Sequence, residues 1–297
     1  MPALIFAGLV LAWGFTWFAL TLQVGPVPPE VSILWRFLIA AACLWAGLAV
    51  TGRLTPAPWS AHRWFAPLGA MLFSMNFLLF YTAAHFTPSG IISVVFSMAT
   101  VFTAFNQWLF MGKRPTARTL IGGTLGVVGI ALLFSEAFTE AESEASGDML
   151  IGIGLSMAGT LVFSLGNLVS LKATATGTDL PNAAARAMLW GSLFLALFAL
   201  ARGAPFVFDW SLPYVGSLLY LIGPGTLFGL MAYLWLVGRI GPDKAAYATV
   251  LFPVVALCVS TVLEGYHWTL YAIAGLPLVL VGNVVIFSGP KIEPAKG

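Results

Sequence analysis

Long runs of apolar residues, separated by short connections that contain proline, glycine or charged residues, fill almost the whole chain. A helix that crosses a membrane needs about 20 mostly apolar residues, because its backbone polar groups must be satisfied internally within the hydrocarbon. The pattern therefore predicts an all-α integral membrane protein with ten transmembrane helices. The predicted spans are 3–23, 30–50, 65–84, 88–110, 117–136, 148–172, 183–202, 212–237, 242–264 and 268–288.

The end of the first half of the chain, 88–135, resembles the end of the second half, 242–288. Both segments begin with proline, and both carry two glycines seven residues apart. These glycines are Gly122, Gly129, Gly275 and Gly282. Residues at this spacing share a helix face, and small residues there allow close contact between membrane helices.

The duplication predicts how the chain is organised. Each half holds five spans, an odd number, so the second copy enters the membrane in the opposite orientation, as in many transporters. We expect two inverted five-helix repeats, 1–140 and 148–297, joined by an acidic outer linker at 141–147.

Composition and charge agree with this interpretation. The chain is 60% hydrophobic and 8% charged, far below the roughly 25% charged content of soluble domains. With ten spans, all thirteen basic residues except Arg36 and Arg202 fall on the side of both termini. The positive-inside rule makes that side cytoplasmic, so the sequence predicts a multi-pass protein of the cell inner membrane with both termini in the cytoplasm.

Several short motifs occur in a characteristic order. They are LAWGFTW at 11–17, Arg36-Phe37 in the second span, FYTAA at 80–84, Pro88 at the start of the fourth span, and Gly112-Lys113 before a glycine-rich fifth. In this order the chain resembles the drug/metabolite transporter superfamily, EamA type. Within it, the chain is most similar to YddG-type exporters of aromatic amino acids.

The resemblance implies two five-helix repeats packed around a central cavity, and export from the cytoplasm to the outside. The third and fourth helices of each half would line the cavity, with parts of the first and second. The second half departs from the first, because Lys244 and Tyr247 stand where Gly90 and Ser93 do. The two walls of the cavity are therefore chemically different.

Polar and aromatic residues inside the spans are the candidates for substrate contact, since a polar group facing lipid is costly. Hydroxyl groups in a helix can either meet a substrate or bond back to their own helix carbonyls, and both roles are open here. The residues expected to line the cavity are Trp13, Trp17, Asn76, Phe80, Tyr81, Ser93, Phe96, Ser97, Thr100, Phe163, Asn167, Met231, Trp235 and Tyr247.

The arginines that lie furthest from the ends of the predicted spans are Arg36 in the second and Arg186 in the seventh. Two roles are open for them. They can be structural, reaching an interface or bonding to backbone carbonyls, or they can bind a substrate carboxylate.

Several kinds of reactive or ligand-binding motif are absent from the sequence, and this reduces the number of possible functions. It shows no carboxylate in the middle of a span, no nucleotide-binding loop, no metal-ligand spacing and no set of catalytic residues. We therefore expect no enzyme activity, no cofactor and no bound metal. Transport by a facilitator or an exchanger is favoured over transport driven by ATP.

The sequence thus predicts a secondary transporter that exports aromatic or bulky hydrophobic amino acids and related amphipathic metabolites by alternating access. Its partners would be a small-molecule substrate and the lipid bilayer, not nucleic acid, and its oligomeric state is open, a monomer included. One alternative is a multidrug or other metabolite exporter of the same superfamily. A membrane-embedded enzyme is an alternative of a different class, against which no reactive cluster is found.

Overall fold

A computed structural model describes residues 1–133, 135 and 144–288, and within these residues the chain is helical and has no strand. We number the helices α1 to α10 in chain order. They are α1 Pro2–Thr21, α2 Pro29–Val50, α3 Trp59–Ala83, α4 Ser89–Met111, α5 Ala117–Leu133, α6 Glu144–Thr174, α7 Leu180–Ala201, α8 Leu212–Ile240, α9 Lys244–Leu263 and α10 Leu270–Phe287.

The helices match the predicted spans one for one. In the described part of the chain, nine are long and apolar enough to cross a membrane, and α5 is apolar but shorter, at 17 residues. The predicted end of the fifth span falls at the edge of the described residues. Of the predicted acidic linker, 141–147, residues 141–143 lie outside them, and 144–147 form the first turn of α6. The predicted all-α membrane architecture is confirmed.

The two halves of the chain interlock. The first helix of each half packs against the third and fourth helices of the other half, so α1 contacts α8 and α9, and α6 contacts α3 and α4. The second helices, α2 and α7, pack together, as do the fifth helices, α5 and α10. This exchange of contacts is what a twofold relation between the halves would produce. Their opposite orientation in the membrane stays a prediction.

The predicted glycine faces meet each other between α5 and α10. A Cβ atom added at Gly129 would lie 2.6 Å from the carbonyl oxygen of Gly275, and Gly122 similarly faces Gly282. Such contacts require residues without a side chain, because the two backbones approach too closely for a Cβ. The prediction that these glycines form a helix contact is confirmed.

Both α3 and α8 contain a π-helical segment, Met71–Met75 in the first and Leu221–Phe228 in the second. In each segment a hydroxyl bonds to the carbonyl five residues earlier. Ser74 Oγ lies 3.0 Å from the Gly69 oxygen, and Thr226 Oγ1 lies 2.8 Å from the Leu221 oxygen. Segments of this kind are frequent at functional sites.

The contact between α5 and α10 leads to a stability prediction. Gly129→Ala places a methyl group against the α10 backbone, and we expect it to lower the free energy of unfolding by about 1–3 kcal/mol. Gly154→Ala is the control, because a Cβ at Gly154 in α6 has no atom within 4 Å. Thermal unfolding of the purified protein in detergent measures both. Equal unfolding temperatures for the two variants would contradict the close approach.

Candidate functional site

Five aromatic side chains from five helices meet inside the bundle and form what we call the central cluster: Trp17, Phe80, Phe96, Phe163 and Phe252. The Phe96 ring lies at its middle. Its centroid is 4.7 Å from that of Phe163, 5.2 Å from Trp17, 5.6 Å from Phe80 and 6.0 Å from Phe252. Helices of both halves therefore meet at one aromatic site.

The central cluster is closed in this structure. The side chains of Trp17, Phe80 and Phe252 are buried, and the ring of Phe80 fits against Gly159 of α6. A cavity of about 430 Å³ lies to one side, where Trp45 of α2 faces Arg186 of α7. Another of about 360 Å³ lies between α4 and α5. Neither of these two cavities is lined by a ring of the central cluster.

Trp13 lies one turn before Trp17 but contacts α8 instead of the cluster. Its ring centroid is 5.7 Å from that of Tyr233, and Gly229 leaves room for the indole. Met231 packs at the margin of the core that contains the cluster. Tyr233 was not predicted from the sequence. The only feature of the sequence that could have pointed to Tyr233 is its position two residues from both Met231 and Trp235.

The hydroxyls of α4 bond back to their own helix. Ser93 Oγ donates to the Gly90 oxygen at 2.5 Å, and Ser97 Oγ donates to the Val94 oxygen at 2.6 Å. Ser97 also accepts from Asn283 of α10 at 3.4 Å, so it faces α10. Thr100 is half-buried. Of the predicted face on α4, the structure brings only Phe96 into the central cluster.

The predicted second-half residues also lie apart from the cluster. The Trp235 ring lies 5.5 Å from the Arg239 guanidinium, and Tyr247 contacts Phe287 at 6.0 Å. Phe252, which was not predicted, is the residue that α9 contributes. The sequence pattern did not indicate that Phe252 reaches the cluster, because an aromatic residue in an all-apolar span can face any side.

Two asparagines were predicted near the site. Asn76 on α3 is buried, its backbone lies against Gly159 of α6, and its Oδ1 has no hydrogen-bond partner. Asn167 lies one turn from Phe163 on α6 and is half-buried. An amide that the sequence analysis missed, Asn106 on α4, donates to Ser164 Oγ at 2.5 Å and joins α4 to α6.

Beside the central cluster lies a second group, which we call the arginine site: Arg36, Phe37, Phe77, Tyr81 and Thr226. Arg36 is only 2% exposed, and its Nη2 donates to Thr226 Oγ1 at 3.1 Å. Its Cζ lies 4.9 Å from the Phe37 ring centroid and 4.6 Å from that of Phe77. The fully buried Tyr81 is close enough to interact electrostatically with the guanidinium.

The arginine site adjoins the central cluster through two phenylalanines of α3. The Phe77 ring contacts the guanidinium on one side and lies 6.3 Å from the ring of Phe80, a member of the cluster, on the other. A charged group and an apolar aromatic surface are therefore neighbours inside the bundle. This combination suits an amphipathic molecule.

Arg186 differs from Arg36. Its Nη1 donates to the Asn182 carbonyl oxygen at 2.9 Å, and its Nη2 donates to the carbonyl oxygen of Thr55. These bonds attach the start of α7 to the connection between α2 and α3. Of the two roles left open by the sequence, Arg186 shows the bonding to backbone carbonyls.

One end of the site is closed by a polar contact that we call the outer latch, on the side predicted to be extracellular. The carboxylate of Glu264, at the end of α9, accepts from Ser89 Oγ at 2.6 Å and from Ser89 N at 3.2 Å. Next to it, Gly90 allows α4 to lie directly against Leu257 and Ser260 of α9. The latch holds the fourth helices of the two halves together.

The other end of α4 is less tightly packed. Its outer part, Ser89–Phe96, contacts α9 and is mostly buried, whereas its inner part, Ala99–Met111, packs against α5 and α6 and is largely half-buried or exposed. The outer part of α4 is therefore packed more tightly against the rest of the protein than its inner part.

Replacing the latch carboxylate should open this end. We expect Glu264→Gln to weaken a charge-assisted bond worth about 1.5–3 kcal/mol and to raise labelling of an Ile92→Cys reporter several-fold. Ile92 is fully buried in the core that contains the cluster. The measurement is reaction with a membrane-impermeant maleimide applied from outside, with Cys43 and Cys258 replaced by alanine.

Glu30→Gln is the matched control. Glu30 is an outer carboxylate that pairs with Arg202 at 3.7 Å and connects α2 to the end of α7, without a contact to α4. If both variants raise the labelling equally, the latch does not close this end specifically.

The fold and the site define a multi-pass helical membrane protein with a buried amphipathic site between two interlocked halves. Residues 1–135 match the model of the EamA-like transporter family. The chain is 25% identical to "Uncharacterized transporter YvbV" of Bacillus subtilis (strain 168), over 99% of this chain and 93% of that protein. It is 27% identical to "Uncharacterized inner membrane transporter YedA" of Escherichia coli (strain K12), over 97% and 91%.

A solved crystal structure has the same fold, with a TM-score of 0.64 and 18% identity over 96% of each chain. Together the comparisons show that the chain is similar to the EamA-like transporter family over residues 1–135 and to proteins described as transporters over nearly its whole length, which supports a role in transport. The narrower similarity to YddG-type exporters is not confirmed by these relatives and stays a prediction.

Proposed function

We propose that this protein is a secondary transporter that exports aromatic or bulky hydrophobic amino acids, and related amphipathic metabolites, across the inner membrane by alternating access. The observation that carries the proposal is the central cluster. Its rings come from α1, α3 and α4 of the first half and from α6 and α9 of the second half. A rearrangement of one half against the other must therefore change the site itself.

Aromatic rings favour aromatic ligands by offset stacking and edge-to-face contacts, worth about 0.5–1.5 kcal/mol per pair beyond the area buried. The rings of the cluster already contact one another in these geometries, as in the edge-to-face pair of Trp17 and Phe80 at 5.3 Å. When a substrate ring enters between them, its contacts with the rings replace contacts of the same kind among the rings. Bulky apolar side chains are accommodated by the same surface.

Alternating access is supported by the unequal closure of the two ends. The outer latch joins Ser89 to Glu264, whereas the repeat counterpart of Gly90 at the other end is Lys244, whose side chain is exposed. In an inverted repeat, the counterparts of the latch contacts close the opposite end in the other state. The first state to accept substrate would thus open toward the predicted cytoplasmic side.

Passive transport or exchange is part of this proposal. In the described residues, the buried carboxylate Glu30 begins α2 and pairs with Arg202, away from the central cluster. Proton and sodium coupling commonly use a carboxylate inside the membrane, near the substrate site. We therefore expect the substrate gradient to drive export.

Efflux from proteoliposomes tests the proposal. Vesicles loaded with labelled phenylalanine, tryptophan, leucine or a cationic dye are followed with and without a proton gradient. We expect aromatic amino acids to leave fastest, at rates independent of the proton gradient. Dye movement without amino acid movement would favour the multidrug alternative, and no movement of any probe would contradict transport of these classes.

A pair of variants tests whether efflux depends on the central cluster. Trp17→Ala removes contacts to three other rings, and we expect aromatic efflux to fall at least tenfold, since burying an aromatic side chain contributes several kcal/mol. Trp210→Ala is the control, because this indole is 83% exposed near the start of α8. Equal losses in the two variants would argue against a substrate site at the cluster.

A further inference from the structure

Arg36 has hydrogen-bond donors that the protein does not use. Nη2 donates to Thr226, but Nε and Nη1 are buried and have no hydrogen-bond partner. In the described part of the chain, the ion pair found joins Glu30 to Arg202 and leaves Arg36 without a carboxylate. The guanidinium is thus a buried cation with an incomplete set of partners.

The neighbouring groups offset only part of this charge. The Phe37 and Phe77 rings provide cation–π contacts, each worth up to about 2 kcal/mol when desolvated. Neither ring is a good acceptor for the free N–H groups at the edge of the guanidinium. Leaving a charge buried without an opposite charge typically costs several kcal/mol.

A purely structural arginine looks different in this same fold. Arg186, its counterpart in α7, bonds to the carbonyl oxygens of Asn182 and Thr55, and its guanidinium lies 5.1 Å from the Trp45 ring. Arg36 lies one ring away from the central cluster and bonds to no carbonyl. Nη2 carries a second N–H besides the one bonded to Thr226, and this N–H together with Nε or Nη1 forms the parallel pair by which a guanidinium binds a carboxylate.

We propose that the free N–H groups of Arg36 bind the carboxylate of the transported molecule, while the apolar group of that molecule lies against the central cluster. The Tyr81 hydroxyl, buried beside the guanidinium, donates a further bond to the same carboxylate. This inference rests on the proposed function and specifies its substrate class. The transporter selects carboxylates with a bulky apolar group and discriminates against amides, amines and cationic dyes.

Binding requires movement of the side chains that enclose the guanidinium. Tyr81 is fully buried, whereas Phe77 is half-buried and connects the arginine site to the central cluster. Rotation of Phe77 would open the path between the two parts of the site. The carboxylate and the apolar group of one molecule would then be held by adjacent surfaces.

The test compares phenylalanine with phenylalaninamide, which keeps the ring and the amino group but has no carboxylate. Efflux of each is measured for the wild-type protein, Arg36→Gln, Arg36→Lys and the control Arg186→Gln. We expect the wild type to move phenylalanine at least about tenfold faster than the amide, because charge-assisted bonds to the carboxylate are lost in the amide. Arg36→Gln should remove this preference by slowing phenylalanine alone.

The other variants separate recognition from folding. Arg36→Lys keeps the charge but not the two-pronged geometry, so its preference should be intermediate. Arg186→Gln should change both rates by the same factor. If Arg36→Gln slows both molecules equally, or if the wild type does not distinguish them, Arg36 does not bind the carboxylate, although export itself can stand.

A binding measurement distinguishes failure of this inference from failure of the proposed function. Phenylalanine should raise the thermal unfolding temperature of the wild type and of Arg186→Gln, but not of Arg36→Gln, and the amide should raise none. If phenylalanine stabilises the protein in this way but no efflux is observed, the carboxylate site is supported and the proposed export function is contradicted. Equal stabilisation by both molecules, or by neither, would overturn the carboxylate site.

Discussion

The rest of the structure depends on the close approach of helix backbones between the two halves. Lipid tails are as apolar as the side chains they surround, so helices in a membrane gain little from burying leucine against leucine. Close packing at small residues stabilises the helix contacts instead. Gly129 meets Gly275 between α5 and α10, and Gly69 meets Gly191 between α3 and α7. These contacts fix a frame within which the aromatic and charged residues are placed.

Corresponding positions in the two halves of the chain carry different residues and therefore have different chemistry. The π-helical segments of α3 and α8 each present a hydroxyl to a second helix of the opposite half. Ser74 bonds to the Gly191 carbonyl in α7, whereas Thr226 accepts from Arg36 in α2. One position of the pair is a satisfied structural contact. The other holds a cation that still has free donors, so the two repeat-related positions differ in chemistry.

The sequence was sufficient for the helices because bilayer thickness fixes their length, and connections marked by proline and glycine fix their number. It also located the α5 and α10 contact, because a seven-residue glycine spacing defines one helix face. Trp17, Phe80, Phe96 and Phe163 were predicted as site residues and lie together in the central cluster.

The direction of individual side chains was harder to predict. Trp235 and Tyr247 were chosen by repeat symmetry, yet Phe252 is the residue that reaches the cluster from α9. Repeat symmetry relates positions along a helix, but the side-chain direction depends on local packing in spans that are apolar on every face. Likewise, sequence left both roles open for Arg36 and Arg186, and only their hydrogen-bond partners separate them.

The central claim is that the two halves open and close opposite ends of one shared site. Distances between spin labels at both ends test it most directly, with one pair at His85 and His267 beside the outer latch and another at Met111 and Lys244 at the other end. Labels are attached to cysteines, with Cys43 and Cys258 replaced. We expect phenylalanine to shift the two distances in opposite directions. Phenylalanine transport with both distances unchanged, or with both shifted in the same direction, would contradict it.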